Sequence, residues 1–236
     1  MSLIYDLNEL SHSGLDAMQT SQRDWSPYLV HFTSGKDMEA VRSVLKRKSI
    51  DPQLINEQLH KADKMSFDVF AKIVSSKIIE CRTSIKCIPS SRLCVSLSEC
   101  SLPGILSHSE RYGRFGFMFE KRDIYSLKGR PCQYLDKDIC TEIGRISTSN
   151  CGCKISRMNG FANTYIPTAK IKCTVGKPRD FTVEREWRVM DNVNLKILKG
   201  VLCPYDYWER VFNCVKEGLG MVVPVYPLDV LYRWGV

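Results

Sequence analysis

The hydrophobic periodicity of this chain changes once, near residue 90, and that change limits the fold more than any other feature. Before it, apolar residues recur at helical spacing, first as Met38, Val41, Val44 and Leu45, then as Phe67, Phe70, Ile73 and Val74. Ser34 and Asp37 stand where a capping pair would open the first of these helices. The second helical region runs over Pro52–Glu80, with a break expected near Asp63–Ser66, where the polar residues gather. From Arg92 onward the texture is that of strands: Leu93–Ser98, Gly113–Lys121, Pro131–Leu135, Ile166–Thr174, Phe181–Met190, Leu195–Leu202 and Met221–Tyr226. One strand, Tyr28–Thr33, precedes the helices, and two further helices are expected around Leu102–Ser109 and Asp206–Lys216. Helices gathered at the front do not alternate with strands, which argues against a doubly wound parallel sheet. The expected class is α+β, a mostly antiparallel sheet with helices packed at its N-terminal side.

Residues 1–24 are polar and Ser-rich with weak periodicity, and read as an N-terminal arm that binds a partner. Residues 25–236 then form a single domain, long enough to bury a core of ordinary size. No apolar run approaches the ~18–20 residues that span a bilayer, and no basic-then-apolar leader opens the chain. A cytoplasmic protein without a membrane partner is expected. Eleven cysteines, an odd number, read as reduced thiols, many of them buried. The pair Cys151 and Cys153 lacks a second pair at short spacing, so no metal site is expected.

The net charge of +8 is unevenly spread, with basic residues at Arg42 and Lys46–Lys48, from Lys121 to Arg130, and from Lys170 to Arg179. Such patches attract polyanions, although each by itself also fits a solvated surface. Lys46, Arg47 and Lys48 are the candidate nucleic-acid contacts.

Three segments carry candidate chemistry. In Phe181–Met190, strand alternation puts Glu184, Glu186 and Arg188 on one face and Val183, Arg185, Trp187 and Val189 on the other. Two like charges at that spacing repel unless a cation sits opposite. The segment therefore reads either as a charged edge strand, with Arg185 or Arg188 as partner, or as a site. His31, Phe32 and Thr33 end the first strand beside a helix start, where free N–H groups receive phosphates. A histidine satisfied at a strand end is the plainer alternative. The third segment joins Ser96, Ser98 and Glu99 to His108, Tyr112 and Phe115, and could line a cleft for a flat ring. Phe115, Phe117 and Phe119 themselves read as core.

In that order, a histidine strand, a serine strand and a late Glu-x-Glu strand resemble the NAD site of ADP-ribosyltransferases. The His-Phe-Thr start is similar to the DarT toxins, which modify DNA. More of the chain resembles the AbiGi-type abortive phage-resistance family. The shared segments here are HFT at 31–33, CVSLSECSLP at 94–103, HSERYGRFG at 108–116 and EREWR at 184–188. The resemblance covers roughly residues 28–190 and implies an ADP-ribosyltransferase-like split sheet. Leu97 stands where a bulky aromatic is expected.

The resemblance further implies that NAD is the substrate. Glu186 would stabilise the charge that builds on the ribose, and Glu184 would orient or deprotonate the acceptor. His31, with Phe32 and Thr33, would hold the adenosine side, and Ser98 and Tyr112 the nicotinamide side. No glycine-rich dinucleotide fingerprint or P-loop is present, which disfavours a Rossmann oxidoreductase or a kinase. The expected activity is mono-ADP-ribosyl transfer by a defence toxin to RNA or single-stranded DNA, with an antitoxin and a chaperone as partners. A non-catalytic antitoxin of the same family, an NAD glycohydrolase and a protein-modifying transferase are the alternatives.

Overall fold

The strand Tyr28–Thr33 (β1) lies inside a sheet whose other strands all come from residue 83 onward. The computed structural model describes residues 26–33, 52–84, 93–99, 104–105, 108–109, 112–135, 162–164 and 185–230. After β1 come α1 (Pro52–Ser76), β2 (Ile78–Ile79), β3 (Thr83–Ser84), β4 (Leu93–Glu99) and β5 (Phe115–Glu120). Then follow α2 (Lys121–Ser126), β6 (Arg130–Pro131), β7 (Gln133–Leu135), β8 (Ala162–Thr164) and β9 (Glu186–Val189). The order closes with β10 (Val193–Asn194), β11 (Leu198–Cys203), α3 (Trp208–Leu219) and β12 (Val225–Pro227). The main sheet runs β12-β11-β5-β1-β4-β9-β6, with β3 added to β4. It is antiparallel except between β11 and β12. The molecule is thus α+β, as the texture of the sequence implies.

Alternation along β1 and β5 sends Leu29, Phe115, Phe117 and Phe119 to one face, where the main core lies. There α1 lays its stripe against the sheet: Phe70 stacks on Phe117 with centroids 4.6 Å apart, and Val74 is buried beside it. Burial of the three β5 phenylalanines agrees with their reading as core. The helix stops at Lys77, whose φ of 60° leaves the right-handed region. On the opposite face Val30 and Leu202 pack with Ile105 and Leu228.

The ladder between β1 and β4 is short. All six β1 residues pair with β5, but only Leu29 and Val30 pair with β4, opposite Glu99 and Ser98. Beyond Val30 the β1–β4 pairing ends.

Several expectations are corrected. Helix α1 runs without a break, because Asp63 is buried and pairs with Arg114, whose Nε lies 3.0 Å from Oδ1, and Ser66 is buried as well. Polar residues here face inward to partners, so they do not end the helix. The helix expected around Asp206–Lys216 forms at Trp208–Leu219 and packs beside α1, and Tyr207, just before it, lies 5.4 Å from Phe67. Within α3, Val211 and Val215 are buried but Trp208 is largely exposed. Segment Leu195–Leu202 begins as a 3-10 turn, Leu195–Ile197, and Asn194 caps that turn by accepting from Lys196 N–H. The last strand is Val225–Pro227 rather than Met221–Tyr226. The arm at 1–24, the helix around Met38–Leu45 and the strand Ile166–Thr174 lie outside the described residues.

Phe70 is fully buried against three rings, Phe67 of its own helix and Phe115 and Phe117 of β5. Phe70→Ala should therefore lower unfolding free energy by about 3–5 kcal/mol, measured by urea denaturation.

Candidate active site

Strand β9 is not an edge strand, since it pairs with β4 on one side and β6 on the other. The β4–β9 register sets Ser98 opposite Glu186 and Ser96 opposite Arg188. These four side chains share one face, while Val95, Leu97, Trp187 and Val189 are buried on the other.

Glu186 and Arg188, two residues apart on one strand, close a forked ion pair. Arg188 Nε donates to Glu186 Oε1 at 2.9 Å, and Nη2 donates to Oε2 at 3.0 Å. The side chains are only 13% and 7% exposed, so the pair has exchanged water for its own hydrogen bonds. Ser96 Oγ adds a further donation to Glu186 Oε1, at 2.9 Å. Cys132 N–H donates to the Glu186 carbonyl at 2.7 Å, extending the β6–β9 pairing by one residue. Burial, with the Glu186 carboxylate next to it, pushes the Cys132 thiol far above its ordinary range. Burial raises that of Cys94 too. Both stay protonated and serve as lining, not as nucleophiles.

His31 reaches β4 from the neighbouring strand, at the point where the β1–β4 ladder ends. Its Nδ1–H donates to the carbonyl of Ser96 at 2.8 Å, taking a backbone acceptor that a continued β1–β4 ladder would have used. This bond fixes the tautomer, leaving Nε2 as the acceptor nitrogen of the neutral ring. Burial pushes the pKa of His31 below the ordinary histidine value, against the smaller opposing effect of the bond to Ser96. The ring is therefore neutral near pH 7. An imidazole on the Ser96 carbonyl and a carboxylate on the Ser96 hydroxyl thus meet at one residue of β4, where the β1–β4 ladder ends. Register places His31 on the face of Leu29 and Phe117, and Glu186 on the face of Val30 and Ser98.

The other expected residues divide. Phe32 alternates onto the face of Val30 and Ser98 and stacks on His108 at 6.1 Å, and His108 stacks on Tyr112 at 5.7 Å. Tyr112 is thereby linked to β1 through one intervening ring. Thr33 is buried and donates its hydroxyl to Phe115 O at 3.4 Å. Glu184, Lys46, Arg47 and Lys48 lie outside the described residues. The shared face proposed for Glu184 and Glu186 needs extended backbone at Arg185, and its φ of 42° removes that premise. Of the two arginines offered as partners, Arg188 takes Glu186 while Arg185 turns to Glu99, 3.4 Å away.

Ser96 was missed as a site residue. It lies in the serine segment, but a strand pattern does not say which serine reaches diagonally across to the glutamate. Among the described residues, no group of three His, Cys, Asp or Glu side chains is placed to hold a metal ion. In comparisons with known proteins, no family model, no curated protein and no solved structure matches the chain.

The His31 environment has a consequence for stability. The unfolded chain protonates His31 at an ordinary pKa of about 6.5, the folded protein only at lower pH. Below about 6.5 the unfolded state binds more protons, so this contribution to stability, intact above that pH, is lost as pH falls. Urea melts should show wild type losing more stability than His31→Gln between about pH 7 and pH 5.

Proposed function

We propose that the chain is an NAD-dependent mono-ADP-ribosyltransferase, acting as the toxin of a phage-defence toxin–antitoxin pair. The contacts that tie His31 and Glu186 to the same residue, Ser96, where the β1–β4 ladder ends, are the observation that carries this reading. Cleaving the nicotinamide–ribose bond leaves an electron-poor ribose carbon, and the bond's electrons depart with nicotinamide. A carboxylate fixed beside that carbon lowers the barrier without reorganising at the moment of reaction. Fixing is what the Arg188 fork and the Ser96 hydroxyl supply to Glu186, although the arginine offsets part of the carboxylate's field. The neutral His31 ring, whose Nε2 can accept, suits a ribose hydroxyl beside the end of the β1–β4 ladder. Ser98, directly opposite Glu186, would meet the nicotinamide side, and Glu184 would act on the acceptor.

The acceptor in this reading is RNA or single-stranded DNA, where an exposed base needs no duplex opening. The basic run Lys46–Lys48 would guide it, and the polar arm at residues 1–24 would meet an antitoxin, with a chaperone in the complex.

Labelled NAD tests the reading through its products. Transfer gives a modified polymer; free ADP-ribose alone would make the chain a glycohydrolase, label on protein a protein-modifying transferase, and no turnover a non-catalytic binding member. Glu186→Gln should cut turnover by about two orders of magnitude or more. It should also cost stability, on the order of 1–3 kcal/mol, because Arg188 loses its charged partner. The assay therefore belongs well below the melting point of the variant, and full activity there would remove Glu186 from the mechanism.

Polymer modification should weaken steeply as salt rises from about 50 to about 200 mM, while NAD cleavage should not. Reversing charge at Lys46, Arg47 and Lys48 together should impair only the polymer reaction. Indifference to both changes would point to a protein acceptor.

A further inference from the structure

Strand β9 carries ionic clusters on both faces, and only one belongs to the site proposed above. On the face away from Glu186, the Glu99 carboxylate at the end of β4 is buried. Its Oε1 lies 2.7 Å from Lys121 Nζ, at the start of α2, and 3.4 Å from Arg185 Nη2. Its Oε2 accepts from the indole Nε1–H of Trp187 at 3.2 Å. The main chain adds a link, Glu99 N–H to Arg185 O at 3.2 Å. Arg185 has a φ of 42°, a left-handed conformation that a non-glycine residue keeps only where its surroundings hold it. It immediately precedes Glu186, so the turn made there sets how β9 begins. Glu99 grips both residues that flank Glu186 in sequence, Arg185 and Trp187, from the opposite side of the sheet.

We infer that Glu99 is a positioning residue: by holding Arg185 and Trp187 it fixes where Glu186 and Arg188 emerge on the other face of β9. The geometric claim stands on these contacts, and its meaning for turnover rests on the function proposed above.

The test compares two variants of the full chain. Glu99→Gln keeps the shape of the side chain and an acceptor for Trp187 but removes the charge that holds Arg185. Lys121→Met strips the cluster of the cation that is not attached to β9, leaving Glu99 its hold on Arg185 and Trp187. The readout is the Arg188 Nε–H resonance, assigned by its loss in Arg188→Lys, because that proton is donated to Glu186. In Glu99→Gln the resonance should shift and its solvent exchange should quicken. The kcat for NAD cleavage should fall about tenfold or more, with KM within about twofold. Lys121→Met should keep the wild-type resonance and kcat even if its melting point falls. Should Glu99→Gln fail to fold, Trp187→Phe, which removes the indole donor together with part of the ring's volume, should move the same resonance by a smaller amount. An unmoved resonance in Glu99→Gln, or in Trp187→Phe where that variant stands in for it, overturns the inference. An equal movement in Lys121→Met overturns it too, since that would be general loosening. If wild type cleaves no NAD while the resonance contrast holds, the enzymatic reading falls and the positioning role stands.

Discussion

The backbone of β1 must find hydrogen-bond partners on both of its edges, and that requirement organises the molecule. A central strand cannot leave its N–H and C=O groups unpaired away from water without losing what those bonds contribute. Six residues of β1 find partners along β5, but β4 supplies them only at Leu29 and Val30. At the next residue the ladder gives way to a side chain, as His31 Nδ1 takes the carbonyl of Ser96. The end of the β1–β4 ladder and the placement of an imidazole beside it are therefore one event. The same pairing ties β1 to strands about 70 to 90 residues further along the chain and turns Leu29 to the core that α1 covers.

Charge burial is the second constraint, and β9 bears most of it. Four residues in a row, Arg185, Glu186, Trp187 and Arg188, each contribute to an ionic cluster, and alternation divides them between two faces. Desolvating such groups is costly unless each finds a partner in good geometry. On one face Glu186 meets the Arg188 fork and the Ser96 hydroxyl; on the other Glu99 meets Lys121, Arg185 and the Trp187 indole. Burial lowers the pKa of Lys121, with Glu99 acting against that shift. Satisfied on both sides, β9 presents its carboxylate in one direction, which an electrostatic role would need.

Much of this was legible in the chain. Period-3.6 spacing marked Phe67, Phe70, Ile73 and Val74 as one helix face, and period-2 alternation separated Glu186 and Arg188 from Trp187 and Val189. Both patterns come from local geometry that any stretch of chain carries with it, so the α+β class followed from residues alone, whereas the roles given to His31 and Glu186 came from the family resemblance. The breaks were misjudged for a common reason. Asp63 and Ser66 looked like a helix end because their partners, Arg114 among them, are distant in sequence, and Arg185 looked extended because Glu99, which meets it in its left-handed turn, is distant too.

What only the tertiary structure decided is which polar groups meet. Sequence alternation allowed Arg185 or Arg188 to neutralise Glu186, and Ser96 or Ser98 to stand beside it. The β4–β9 register sets Ser98 opposite Glu186 and Ser96 opposite Arg188. The hydroxyl that reaches Glu186 is the diagonal one, of Ser96, and the arginine is Arg188. Register is a long-range property: it arises from the packing of Leu97 on Trp187 and Val95 on Val189, residue pairs about ninety positions apart. Local periodicity says which face a side chain takes, whereas the identity of its neighbour across the strand depends on how distant segments slide together before they pack.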